Sequence, residues 1–259
     1  MSAPAGLWTV TRAVARRNLG SYLRRPELLL PSLLFPLVFF ASFAGGLSAL
    51  GHLPAFHYAP GYTTFQYGFI LCQTALFSGL FTAFSLAYDL ETGFARRLFL
   101  ASANRTGIPL GYAAVAVARA ILAIAVVTAV ALAVGMRVEG TPGQLVLLCV
   151  LGLLLVLIGY GWAAGIALRF RTVQAGPAMQ TPVFLAVFLA PAYVPLQLLR
   201  GWIHSVANFN PVTYYLEATR GLLSGHPEEL LAALLLAAAL AAAFWGWTQF
   251  NLKAAEAAG

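Results

Sequence analysis

The chain has 259 residues, of which 61% are hydrophobic and only 9% are charged. Soluble domains carry about 25% charged residues, so this composition excludes a water-soluble globular protein and makes the lipid bilayer the expected solvent. The formal net charge of +7 suits either nucleic acid or an anionic membrane surface, and its distribution along the chain decides between them.

The first predicted element is an N-terminal amphipathic helix over residues 7–24. Four residues share one side at helical spacing, namely Trp8, Ala15, Leu19 and Tyr22. Arg17 and Arg24 lie opposite them, a pattern typical of a helix that lies along a membrane surface. The helix is either a plain interfacial anchor or a docking surface for a cytoplasmic partner.

Six apolar runs are each long enough for a helix that crosses a hydrocarbon core of about 30 Å, which takes about 20 residues. They are approximately Leu28–Leu50, Thr63–Tyr88, Ile108–Val134, Gln144–Leu168, Thr181–Leu199 and Leu230–Phe250. The first run exceeds the apolar core of a signal peptide, about 7–15 residues, and is predicted to be an uncleaved span. The alternating segments of about ten residues that a membrane barrel needs are absent. The sequence therefore predicts an all-α integral membrane protein, with six transmembrane helices in a single domain over residues 1–259.

Lysine and arginine residues predict the orientation, because they concentrate in cytoplasmic connections. One side carries Arg12, Arg16, Arg17, Arg24, Arg25, Arg96, Arg97, Arg105, Arg169, Arg171 and Lys253. The other side carries only Arg137, Arg200 and Arg220. Both termini are therefore expected in the cytoplasm. The positive charge is then mainly a topology signal, and nucleic acid is not an expected partner.

The connection between the second and third runs predicts a short amphipathic helix at the cytoplasmic surface. It reads YDLETGFARRLFLASANR, residues 88–105. Asp89 and Glu91 come first, and Arg96 and Arg97 follow, which is the order that a helix dipole favours. The alternative is a solvated loop whose arginines only fix the topology.

The stretch NPVTYYLEATRGLL, residues 210–223, lies between the fifth and sixth runs. Pro211 suits the first turn of a helix that is capped by Asn208 or Asn210. Together with residues 201–208, this stretch would form two short outer helices that dip back towards the bilayer, where helical backbone satisfies its own hydrogen bonds. A plain surface connector is the alternative.

Charged side chains near or within the apolar runs are candidates for structural or transport roles. Glu217 and Arg220 are three residues apart, so they can pair on one helix face. Arg119 lies inside the third run, where an arginine costs about 2.5–3.5 kcal/mol on insertion scales. It either faces the bundle, with backbone carbonyls or tyrosine and glutamine side chains as partners, or extends to the cytoplasmic head groups.

Enzymatic chemistry has little support in this sequence. A phosphate-binding loop of the form G-x-x-x-x-G-K-[ST] is absent, and the single lysine is Lys253. The four histidines lack the helical pairing of a metal site, and Cys72 and Cys149 both lie in apolar runs, which predicts neither a disulfide nor a metal ligand. We therefore expect no catalytic, cofactor-binding or metal-binding residue in the chain.

Three segments together resemble the membrane-spanning permeases of ABC type-2 exporters, particularly the daunorubicin-efflux-like branch. RRNLGSYLRRPELLLPSLLFPLVFF (residues 16–40) is similar to that family's basic entry helix and Pro-containing first span. Residues 58–105 are similar to its outer PG turn, second span and acidic–Gly–basic loop, and NPVTYYLEATRGLL resembles the element before its last span. The loop ends in SANR, where the family usually has a Pro before a Ser-Arg pair.

The resemblance implies a complex of two six-span permeases, as a homodimer or heterodimer, with two cytoplasmic ABC ATPase subunits in the bacterial cytoplasmic (inner) membrane. ATP and Mg would bind to the separate ATPase, and the complex would move an amphipathic small molecule, lipid or glycan outwards, as in multidrug efflux. The implied ATPase-coupling residues are Asp89, Glu91, Gly93, Arg96 and Arg97. The implied outer gate consists of Asn210, Pro211, Tyr214, Tyr215, Glu217 and Arg220. The alternative function is a stand-alone secondary transporter or channel.

Overall fold

The computed structural model describes residues 6–102, 104–227 and 229–257, apart from the side chains of residues 28, 96, 101, 256 and 257. All regular structure in these residues is helical, which confirms the predicted fold class. The α-helices are α1 (Leu7–Arg24), α2 (Pro26–Phe40), α3 (Tyr62–Glu91), α4 (Phe94–Ala101), α5 (Gly107–Ala133), α6 (Pro142–Phe170), α7 (Gly176–Phe188), α8 (Trp202–Phe209), α9 (Pro211–Ser224) and α10 (Leu230–Ala257).

Four single helices, α3, α5, α6 and α10, are long and apolar enough to cross a bilayer. They coincide with the second, third, fourth and sixth predicted spans to within a few residues, except that α10 continues to Ala257. The segments Leu7–Arg24 and Leu29–Gly45 meet at a bend of 70°, so by length and composition they form either a fifth, broken crossing or a re-entrant loop. Pro31 and Pro36 lie inside α2, and a π-helical turn at Ala41–Gly45 follows it.

The fifth predicted span, residues 181–199, differs from the structure. Helix α7 has 13 residues, or about 20 Å at 1.5 Å per residue, and it ends at Phe188. Pro191 and Pro195 follow directly. Proline lacks a backbone N–H, and it disfavours helical backbone in the residue before it, so the apolar run continues as turns rather than as helix.

Helix α3 is the centre of the bundle and crosses α6 at very short range. A Cβ atom added at Gly79 would lie 2.2 Å from the carbonyl oxygen of Val156, and one added at Gly159 would lie 2.1 Å from that of Leu76. Small residues at such a crossing allow two backbones to touch, which is how van der Waals packing stabilises helix pairs in membranes.

Helix α1 packs on the first turns of α5 and not only on lipid. Val10 and Val14 are buried against α5, where a Cβ atom added at Gly111 would lie 2.6 Å from that of Val14. The predicted apolar stripe is therefore only partly correct: Tyr22 is buried, whereas Trp8 is 77% exposed. Sequence periodicity located the helix but not the face that packs on protein.

The connections lie at two ends of the bundle. The basic end comprises α1, α4, the start of α5 and the last turns of α6 and α10, where Arg171 Nη2 donates to the Ala255 carbonyl at 2.9 Å. The opposite end comprises α8 and α9, which begin and end within one residue of the two predicted outer helices.

Candidate functional site

The short helix predicted between the second and third apolar runs is present as α4 at the basic end. Gly93 adopts a left-handed conformation, with φ of 73°, which is accessible to glycine at little cost, and it turns the chain from α3 into α4. Ala95 is fully buried, and Leu98 and Phe99 pack on the bundle. Leu100 is 76% exposed. The helix thus has an inner apolar face and an exposed outer face.

Asp89 is buried in a cluster that joins four helices. Its carboxylate accepts hydrogen bonds from Arg17 Nη1 at 2.7 Å and Arg17 Nη2 at 3.3 Å, and from the Tyr112 hydroxyl. The Arg17 guanidinium carbon lies 3.6 Å from the centre of the Phe94 ring. Asp89 therefore ties α1 to α3 and α5, and it is not part of the exposed surface on which the sequence reasoning placed it.

The other predicted coupling residues differ in exposure and contact. Glu91 is exposed, and its Oε2 accepts a hydrogen bond from the Val173 backbone N–H at 2.8 Å, which joins the end of α3 to the connection after α6. Arg97 is exposed on the outer face of α4, next to the exposed Leu100. Arg96 lies on the same helix, but its side chain is outside the described part of the structure.

Asn210 and Pro211 begin α9 as predicted. The Asn210 side-chain oxygen accepts a hydrogen bond from the Val212 N–H at 3.0 Å, and Pro211 occupies the first turn. The Asn210 amide also donates to the Ala186 carbonyl in the last turn of α7 at 2.6 Å. One side chain therefore caps α9 and attaches it to the shortened fifth apolar helix.

Arg220 is the most enclosed charged residue among those that the structure describes at the opposite end. It is 2% exposed, and its Nη1 donates to Glu217 at 3.0 Å, so the predicted pair is present in the structure. Its guanidinium carbon lies 3.3 Å from the centre of the Phe65 ring, and Nη2 donates to the Ala192 carbonyl at 3.3 Å. Burial lowers the pKa of Arg220, and the charge of Glu217 opposes that change.

Further hydrogen bonds connect the Arg220 region to the start of α3 and the segment before it. The Tyr58 hydroxyl donates to the Arg220 carbonyl at 2.8 Å. Gln66 donates to the Tyr62 hydroxyl at 2.8 Å, and Tyr62 donates to the Tyr193 carbonyl at 3.0 Å. The turn after α7, the start of α3 and helix α9 are thus held together as one unit.

The two adjacent tyrosines of α9 have different surroundings. Tyr214 is exposed, whereas Tyr215 is fully buried and its hydroxyl has no hydrogen-bond partner among the described residues. Tyr215 lines an apolar cavity of about 240 Å³ together with Leu76, Trp162 and Phe244. Only one of the two rings therefore faces outward, where a gate residue would meet its substrate.

Arg119 extends from α5 to the end of α1. Its guanidinium carbon lies 4.4 Å from the centre of the Tyr22 ring, so the partner observed is a tyrosine, one of the expected types. No carboxylate lies within ion-pair distance of it in the described ranges 6–102, 104–227 and 229–257. No set of three or more potential metal ligands occurs in those ranges either.

Several residues of these clusters had no signal in the sequence reasoning. Arg17 was predicted only as a topology charge and as part of the polar side of the N-terminal helix, not as a partner of Asp89. Tyr112 was not distinguished from the other residues of its apolar run. Gln66 and Gln73 did carry a usable signal, because two glutamines seven residues apart lie on one face of a transmembrane helix.

The structure defines an α-helical membrane protein whose long helices are joined by short surface helices at both ends. Residues 9–223 match the family model described as ABC-2 type transporter. The chain belongs to the ABC-2 type transporter family, and this membership supports a transport permease rather than an enzyme. It is also 26% identical over 219 residues to ycf38 of Pyropia yezoensis, a protein provisionally named a transport permease, with 82% of this chain and 73% of that protein covered.

Proposed function

We propose that the chain is the permease subunit of an ATP-driven exporter that acts with a separate ABC ATPase. The family match over residues 9–223 carries this proposal, and the absence of a phosphate-binding loop from the sequence supports a separate source of ATP hydrolysis. ATP and Mg would bind to the ATPase, and both ends of the chain would lie on the cytoplasmic side, as the arginine distribution favours.

Helix α4 would receive the movement of the ATPase. Its inner face packs on the bundle, while Arg97 and Leu100 extend from the outer face. An exposed cation beside an exposed leucine suits a partner groove with an apolar floor and an acidic rim. The Asp89–Arg17 pair, in which Asp89 is buried and Arg17 is partly exposed, would carry the movement from α3 into α1, because two charge-assisted hydrogen bonds fix the geometry of the two side chains.

The outer helices α8 and α9 would narrow the exit for the substrate. They are attached to α3 and α7 through Arg220 and Asn210, so a displacement of α3 would reach them. Two such permeases, identical or related, would enclose the path for an amphipathic small molecule, lipid or glycan. This arrangement follows from the resemblance to type-2 exporters. In it, a movement of α4 at the basic end would be transmitted through α3 to α9 at the opposite end.

The proposal is tested by purifying the tagged chain in detergent from its source cells and identifying retained proteins by mass spectrometry. An ABC ATPase should be retained in stoichiometric amount. Arg97→Glu should lower its retention by at least about tenfold, because unfavourable charge at a docking surface costs more than about 1.4 kcal/mol. Arg137→Glu is the matched control, since Arg137 is exposed in the connection between α5 and α6 at the other end of the bundle.

Two results would contradict the proposal. One is retention of no ATPase by wild-type chain; the other is transport by reconstituted chain that follows a proton gradient without ATP. The second result would favour the stand-alone transporter. If Arg97→Glu and Arg137→Glu retain the same amount of ATPase, the ATPase docks on a surface other than α4.

A further inference from the structure

Two adjacent cavities between α1, α2, α3 and α5 meet at Arg119 and Tyr22. The larger one, of about 480 Å³, lies at the basic end and is also lined by Arg17, Arg25 and Asp89. The smaller one lies deeper, and has room for about one water molecule or one oxygen atom of a larger group. Both cavities share Arg119, Tyr22 and Phe81 as lining residues, so the guanidinium stands at the junction between them.

The deeper cavity is surrounded by polar groups that have no partner in the described part of the chain. These are Arg119 Nε, both amide atoms of Gln73 and the Thr74 hydroxyl. Gln73 is only 1% exposed. A buried donor or acceptor without a partner costs about 1–3 kcal/mol, and native proteins satisfy nearly all such groups. Several of them around one cavity therefore indicate a polar ligand.

The charged residues around the larger cavity indicate the charge of the ligand that it would bind. Three arginines and one carboxylate line the larger cavity, and that carboxylate, Asp89, is already held by Arg17 and Tyr112. The positive charge of Arg119 is left without a carboxylate among the described residues. Charged groups in a membrane interior are normally paired or line a functional pathway. A ligand that pairs with Arg119 would therefore be an anion.

The residues that line the larger cavity indicate what kind of molecule contains this anionic group. Phe81, Phe84 and Val115 line the larger cavity beside its polar groups, and a volume of about 480 Å³ is within the range of small-molecule sites, roughly 300–1,000 Å³. We infer that this cavity binds the acidic head group, a phosphate or a carboxylate, of an amphiphile. Arg119 pairs with the acidic oxygens at the junction of the two cavities, and one of these oxygens enters the deeper cavity, where Gln73 and Thr74 donate to it. The phenylalanine rings contact the apolar part.

Lipid binding by the full-length chain tests this inference without the ATPase, so its outcome is separate from that of the exporter proposal. Native mass spectrometry of the detergent-solubilised chain compares retention of dioleoyl phosphatidic acid with that of dioleoyl phosphatidylcholine. Wild type should retain the acidic lipid preferentially. Arg119→Gln should weaken its binding at least about tenfold, since hydrogen bonds to charged groups are strong. Arg16→Gln, which removes an exposed charge from α1, should bind as wild type does.

Two further variants keep the test decisive if Arg119→Gln fails to fold. Gln73→Leu keeps the side-chain volume and removes both amide atoms, and it should weaken phosphatidic acid binding by about fivefold. Arg119→Lys keeps the charge without the planar fork, so it should bind between wild type and Arg119→Gln.

Three outcomes would overturn the inference. The first is equal retention of the two lipids by wild type. The second is wild-type binding of phosphatidic acid by both Arg119→Gln and Gln73→Leu, which would place the lipid on the outer surface. The third is full displacement of phosphatidic acid by millimolar inorganic phosphate, which would identify a site for a free anion and not for an amphiphile.

Discussion

Replacement of Arg220 tests whether helix α9 and its neighbours depend on one buried cation. Arg220→Ala removes the ion pair with Glu217, the hydrogen bond to the Ala192 carbonyl and the stacking on Phe65. Glu217→Ala removes only the carboxylate, which is 43% exposed. The arginine variant should therefore lose much more stability than the glutamate variant, although the two residues form one pair.

The magnitudes follow from the contacts. A hydrogen bond from a charged group contributes about 1.5–3 kcal/mol, and a desolvated cation–π contact contributes about 2 kcal/mol. These terms overlap, and Glu217 regains water once the arginine is gone, so Arg220→Ala should cost about 3–4 kcal/mol. Glu217→Ala leaves the guanidinium on Phe65 and on the Ala192 carbonyl, and should cost about 1 kcal/mol because the Glu217 side chain is 43% exposed.

The assay is the free energy of unfolding in mixed micelles, followed by circular dichroism, for both single variants and the double variant. Glu217→Ala should have almost no effect once Arg220 is absent, since its contribution passes through the pair. Arg200→Ala is the matched control, because Arg200 is exposed near the start of α8 and should change stability by less than about 0.5 kcal/mol. An Arg220→Ala variant as stable as Arg200→Ala would refute this account of the cluster.

Three further predictions concern the contacts between helices. Asp89→Asn should cost about 1–2 kcal/mol, because it removes the charged acceptor of Arg17, whose side chain is 45% exposed and regains water, and protease cleavage near α1 should report its release. Gly159→Val should abolish assembly of the folded chain, because its side chain would overlap the Leu76 carbonyl, and size-exclusion chromatography should show aggregation. Asn210→Ala should lower stability by about 1 kcal/mol through loss of the α9 cap, measured as above.

Each of these predictions has a matched control in the chain. Glu27→Gln removes an exposed carboxylate from α2 and should leave α1 protected from protease. Gly152→Val lies on the same helix as Gly159, but an added Cβ would meet nothing within 4 Å, so it should assemble normally. Asn208→Ala changes an exposed side chain of α8. If any variant behaves as its control does, the contact assigned to it has no stabilising role.

The sequence by itself determined the membrane class and most of the helices. The lengths of the apolar runs placed α3, α5, α6 and α10, because about 20 apolar residues are needed to cross a hydrocarbon core whatever the neighbouring helices do. Local signals also predicted α9: Pro211 at the first helical position and a cap at Asn208 or Asn210 act within one helical turn, and the structure shows Asn210 as the cap. The Glu217–Arg220 pair was predictable for the same reason, since helix geometry sets its spacing.

Only the tertiary structure decided which residues meet across the bundle. Arg17 and Asp89 are 72 residues apart in sequence, and Arg220 and Phe65 are 155 apart, so no local pattern could pair them. The end of α7 before Pro191 also escaped a hydropathy criterion, because proline breaks a helix without making a run less apolar. Hydropathy measures transfer into a nonpolar medium, whereas the burial of Asp89, Gln73 and Arg220 depends on partners that the fold brings from distant parts of the chain.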